Sequence, residues 1–148
     1  MIELGLTIAI TASSVLLFAY WFRYTCLLIL SAKTARDYAG AVAIANQLGF
    51  REVQARLQQP VFAELQVLKE SLDRDYQVLT YLLQHAANPA NASTIENRML
   101  KIDYRMMRVW YSVSGRFSPT AARRALNEMA NVVAHFANTM GERAAAAA

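Results

Sequence analysis

One cysteine, three prolines and five glycines occur in 148 residues, and each scarcity excludes something. The lone Cys26 closes no disulfide within the chain and fits a reducing compartment. No stretch shows sustained apolar–polar alternation with β-branched enrichment, so no sheet is expected and the fold class reads as all-α. H-E-x-x-H, the P-loop pattern and G-x-G-x-x-G are absent, as is the Glu-x-x-His pair of di-iron bundles. His85 and His135 have no second ligand at fixed spacing and read as polar or half-buried residues rather than metal or haem ligands. Glu70, Asp73 and Asp75 fall on polar helix faces and need no catalytic role. With no catalytic constellation, neither an enzyme nor a cofactor is expected.

The most telling absence is charge. From Leu4 to Phe22, "LGLTIAITASSVLLFAYWF", 19 residues carry none. A helix of that length reaches roughly 28 Å, close to the hydrocarbon thickness of a bilayer. A cleaved signal peptide would begin with a basic region, but Glu3 is the only charged side chain ahead of the run, so a retained anchor is expected. Arg23, Lys33 and Arg36 follow the span and nothing basic precedes it. The positive-inside rule then puts the N-terminus outside the cell (inner) membrane and the rest of the chain in the cytoplasm. The "NAS" at Asn91 is, on that topology, a chance sequon.

Arg23 poses a question, because the apolar "CLLIL" follows it. One unbroken helix from Leu4 to Ser31 would be about 42 Å long, more than a bilayer core accommodates without strong tilt. The expected arrangement sets Tyr20, Trp21, Arg23 and Tyr24 at the membrane interface as an aromatic belt with a snorkelling arginine. The competing arrangement pairs Arg23 with a neighbouring subunit inside the lipid. Gly5, Ala9 and Ser13 repeat every fourth residue, a small-residue stripe that suits close helix contact. Thr7, Thr11 and Ser14 offer hydroxyls to a neighbour or to their own helix's carbonyls.

Beyond the span, helices are punctuated by glycine and proline. Residues 33–59 read as connecting helices. The first carries Tyr38, Val42, Ala45 and Leu48 on one face and ends at Gly49 in a left-handed cap; the second carries Phe50, Val53 and Leu57. Residues 60–141 read as a three-helix antiparallel bundle. Its first helix, with Pro60 in the opening turn, presents Val61, Leu65, Leu68, Leu72, Tyr76, Leu79 and Leu83. "HAANPANAS" is a loop, and Ser93 with Glu96 forms a capping box for the next helix. That helix has a core stripe of Ile95, Met99, Ile102, Met106, Val109 and Val113. Ser118 caps the last helix with Pro119 at its first position, and Ala122, Leu126, Met129, Val133, Phe136 and Met140 form its stripe. Residues 142–148 read as a low-complexity tail.

The helix after Ser93 carries more apolar surface than one core needs. Leu100, Tyr104, Met107 and Tyr111 form a second stripe, which either makes the helix central to the bundle or docks another protein. Arg98, Lys101, Arg105 and Arg108 form a basic ridge, read as a solvated face or as a contact for anionic lipid headgroups or an acidic partner. The net charge of +4 without a nucleic-acid-binding motif makes nucleic acid a weak candidate. These features point to a non-catalytic, single-pass accessory subunit that docks to other membrane-protein subunits. A membrane-anchored scaffold or signalling protein that forms homo-oligomers through the Leu65 to Leu83 stripe of its bundle is the alternative.

Overall fold

The computed structural model describes residues 1–32, 36–59, 64–85 and 95–147. The described residues are helical throughout their regular structure and contain no strand. The chain divides into two compact units, Met1–Ala32 and Lys33–Ala148. Lys33, Pro60, Val61, the loop from Ala86 and the Ser93 cap lie outside the described residues.

The first unit is one helix, α1, Ile2–Ser31. Arg23 does not interrupt it, and 30 residues at about 1.5 Å each give roughly 45 Å. Ala32 ends it in an extended conformation, with ψ 126°. Among the described residues it is the helix long and apolar enough to cross a membrane. The hydroxyls turn inward on their own backbone: Thr7 donates to the Glu3 carbonyl, Thr11 to Thr7 and Ser14 to Ile10, each at 2.8 Å. That leaves their donor protons satisfied without a neighbour.

The second unit holds α2 (Ala39–Ala45), α3 (Phe50–Gln58), α4 (Leu65–His85), α5 (Ile95–Ser114) and α6 (Pro119–Ala147). The centre is α6, against which α2, α3, α4 and α5 all pack. Its buried residues include Ala125, Ala130, Val132 and Ala137 besides the expected stripe of Ala122, Leu126, Met129, Val133 and Phe136. Alanines on its flanks let several helices approach closely, which is why α6 and not α5 is the hub. The Ser118 Oγ accepts from the Ala121 N–H at 3.3 Å, the expected cap. At the far end α6 continues through the alanine-rich tail to Ala147.

The stripe on α4 is where its periodicity puts it. Leu68, Leu72, Leu79 and Leu83 are buried, and Leu65 and Tyr76 are half-buried. Those leucines fill the chain's own core and offer no stripe to a second copy. On α3, Phe50, Val53 and Leu57 are buried as expected.

The junction between α2 and α3 corrects the glycine cap. Gly49 has φ −99°, not a left-handed value, while Gln47 takes φ 54°. Leu48 N–H donates to the Ala43 carbonyl at 2.8 Å and Gln47 N–H to Ile44 at 3.4 Å, the paired bonds of a Schellman ending. Gly49 suits a different need: a Cβ there would sit 2.9 Å from Ser71 Oγ on α4, and that side chain would have to move. Gly141 is tighter still, since a Cβ would meet Tyr38 Cβ at 2.2 Å where α6 passes α2. The inward face of α2 is Ala39 and Ala43; Ala45 is exposed.

Polar groups tie this corner down. Arg123 on α6 donates from Nε to the Leu57 carbonyl at 3.0 Å and through Nη2 to the Gln59 carbonyl, covering the C-terminal carbonyls of α3. Asn138 Oδ1 accepts from the Tyr38 N–H at 2.7 Å.

Candidate functional site

The helix that carried most of the candidate residues, α5, is turned over relative to the sequence expectation. Leu100, Asp103, Tyr104 and Met107 are buried with Asn97 and Ser114, and Tyr111 is half-buried. The stripe expected in the core faces outward instead: Ile95 is 76% exposed, Ile102 49%, Val109 65% and Val113 46%. Leu100, Tyr104 and Met107 are therefore core residues and not a docking face. Pairing contributes to this. A buried phenol is tolerated when its polar atom is bonded, and α4 supplies the partners of Tyr104.

Tyr104 lies flat on Tyr76 of α4, ring centroids 3.9 Å apart and planes within 1°. Its hydroxyl donates to Asp73 Oδ1 at 2.8 Å. Asp73 Oδ2 accepts from Lys69 Nζ at 2.9 Å and lies 3.5 Å from Arg108 Nε. Burial first, and the Asp73 bond second, hold the Tyr104 hydroxyl protonated far above the usual tyrosine range. Arg108 thus belongs partly to this internal network, while Arg98 and Arg105 stand exposed and Lys101 half-buried beside the outward stripe.

Asp75 is the larger surprise, because it is fully buried rather than on a polar face. Its Oδ2 accepts from the Gly49 N–H at 2.8 Å, capping the start of α3 from another helix. Desolvation by burial raises its carboxyl above the ordinary aspartate value, against the lowering effects of that N–H and of Arg74. His135 on α6 is half-buried, and desolvation lowers its pKa against the nearby Glu96 and Glu142. His85 is exposed; its ring stacks on Tyr81 with centroids 4.2 Å apart. No group of three metal-binding side chains occurs among the described residues.

The outward face of α5 carries exposed apolar side chains. Ile102, Met106, Val109, Trp110 and Val113, with Arg105 and the edge of the buried Met107, line a shallow apolar groove of about 480 Å³. Trp110 is 51% exposed and Phe117, just beyond the helix, 83%. Contiguous exposed apolar side chains are uncommon on the surface of an isolated soluble domain. No sequence rule tells such a face from a core stripe, because both have the same period.

On α1 the remaining candidates are all in place as side chains. Gly5, Ala9 and Ser13 are exposed, with Ser13 Oγ bonded to the Ala9 carbonyl at 2.8 Å and open space where a Gly5 Cβ would stand. Tyr20, Trp21 and Tyr24 are exposed; Tyr20 stacks on Tyr24 with centroids 6.3 Å apart, and Trp21 meets both edge-on at 6.0 Å. Arg23 lies among them, half-buried.

The architecture is a membrane-length helix followed by a helical bundle with exposed apolar residues on α5. Comparison with protein-family models, with curated proteins and with solved structures finds no match for the chain.

Proposed function

We propose that the chain is a non-catalytic, single-pass accessory subunit that docks to and stabilises a larger membrane protein complex. In this reading α1 crosses the cell (inner) membrane with its N-terminus outside. The long helices of the bundle run antiparallel on the cytoplasmic side. Tyr20, Trp21 and Tyr24 sit at the interface with the Arg23 guanidinium reaching the headgroups, and Gly5, Ala9 and Ser13 meet a helix of another subunit.

The outward apolar stripe of α5 is the observation that carries the reading. The bundle already fills its core from α3, α4 and α6 and from the other face of α5, so Ile102, Val109 and Trp110 have no internal use. Burying them on another protein supplies the binding energy, and the adjacent arginines set orientation.

The test is to solubilise native membranes in mild detergent and identify what co-migrates with the chain on a native gel by mass spectrometry. The proposal expects a stoichiometric set of larger membrane proteins, from which Val109→Asp releases the chain. Migration alone, or as a homo-oligomer, would contradict it and favour a self-associating scaffold. Such a scaffold would have to use α5, since the α4 leucines are consumed internally.

A further inference from the structure

The outward stripe of α5 has a stricter pattern than a generic apolar patch. Ile95, Met99, Ile102, Met106, Val109 and Val113 advance by 4, 3, 4, 3 and 4 residues, the period of a two-helix coiled-coil seam. In that register Ile95, Ile102 and Val109 occupy one core position and the two methionines with Val113 the other. Any amphipathic helix shares this spacing, so the charges beside the stripe are what distinguish its occupant. The flanks are not alike. Arg98 and Arg105 occupy the position before one core residue, and Glu96, Asp103 and Trp110 the position after the other.

This register decides between a second copy and a foreign helix. Set parallel, two copies place Arg105 opposite Trp110 and Arg98 opposite Asp103, and Asp103 is fully buried in its own bundle. Set antiparallel, Arg105 of each copy meets Arg105 of the other. Neither arrangement offers the exposed arginines an accessible carboxylate, and the second adds like-charge repulsion. Lys101 and Arg108 extend the positive strip behind them.

We infer that the α5 seam takes one amphipathic helix of a different protein, with apolar residues at heptad spacing and Asp or Glu on the flank that meets Arg98 and Arg105. The inference rests on the docking reading above and names the chemistry of the partner.

The experiment uses the full chain in nanodiscs of zwitterionic lipid. A Trp21→Phe background leaves Trp110 as the only tryptophan, since the chain has two. Two synthetic three-heptad peptides without tryptophan are titrated in, with leucine cores and flanks entirely Glu or entirely Lys; like charges keep each from pairing with itself. The expected result is a blue shift of Trp110 emission with the Glu peptide, bound about tenfold or more tighter than the Lys peptide. Arg98→Glu with Arg105→Glu, both at exposed positions, should reverse the preference without loss of fold. Equal binding of both peptides overturns the charge selection and leaves the docking face standing. Binding of neither overturns the inference; the docking reading falls with it only if Val109→Asp also leaves native co-migration intact. Quenching of Trp110 by brominated lipid without peptide would show the seam lying on lipid, and cross-linking between copies through Met106→Cys would show self-pairing. Either result overturns the inference.

Discussion

Two helices of the bundle carry nearly the same apolar periodicity and use it in opposite directions. On α4 the leucines at 68, 72, 79 and 83 face the core. On α5 Ile95, Ile102, Met106, Val109 and Val113 at heptad spacing face out, with Met99 half-buried, and a face containing Asn97, Asp103, Tyr104 and Ser114 goes in. Period reveals that a helix has an apolar face; it does not say whose core that face fills. Partners for the polar groups on the helix contribute. Tyr104 has Tyr76 to stack on and Asp73 to bond, so its hydroxyl goes into the interior satisfied, although Ser114 Oγ on the same face has no hydrogen-bond partner.

The largest expected effect breaks the symmetry between the two stripes. Leu72→Ala, at a fully buried site on α4, should cost about 2 to 5 kcal/mol of stability by loss of transfer energy and a residual cavity. Val109→Ala on α5 should stay within about 0.5 kcal/mol, as surface changes do. Thermal unfolding followed by circular dichroism in detergent compares them directly. Equal costs would mean that both stripes are core.

A smaller effect tests the pairing that turns α5 over. Asp73→Ala leaves the buried Tyr104 hydroxyl without its acceptor and should cost about 1 to 3 kcal/mol. Adding Tyr104→Phe should then cost less than it does in the wild type, a coupling that a double-mutant cycle reads. Additive losses would show that the bond does not position α5.

Asp75 gives a pH signature on the α4 side of the comparison. Its raised pKa means that the folded state holds the proton more tightly than the unfolded one. Its contribution to folding is therefore greatest below the ordinary value of 3.8 and is lost as pH rises through the folded pKa. Asp75→Asn keeps an acceptor for the Gly49 N–H and cannot ionise. The variant should be at least as stable as wild type at neutral pH, with the difference closing as pH falls toward about 4. A difference that widens on acidification would contradict a buried, raised carboxyl. The smallest effect belongs to His135→Gln. Burial lowers the His135 pKa below 6.5, so wild type loses stability as pH falls through the folded value, and the variant should not.

Much of the architecture was legible from local signals. The charge-free run gave α1, the Ser118–Pro119 pair gave the start of α6, and the stripes of α3, α4 and α6 pack where their periods point. The misses share a cause. Asp75 looked like a surface carboxylate because its partner, the Gly49 N–H, lies 26 residues away on another helix. Gly49 looked like a left-handed cap, but its role is to let α4 approach, which only the tertiary contact with Ser71 discloses. Leu100, Tyr104 and Met107 looked like the spare stripe because the bond from Tyr104 to Asp73 is invisible to any scale that scores residues one at a time. Of the apolar candidates on α5, Leu100, Tyr104 and Met107 thus lie in the core, and the exposed apolar residues lie on the other side of the same helix.

The most direct measurement of the central claim, that α5 turns its heptad seam outward, is the thiol reactivity of two positions on that helix. In a Cys26→Ser background, Val109→Cys and Leu100→Cys are each treated with a maleimide reagent in detergent, with the fold checked by circular dichroism. Rapid labelling at position 109 and protection at position 100 is the predicted result. Protection at 109 with labelling at 100 would contradict it and return α5 to the orientation that its periodicity alone suggests.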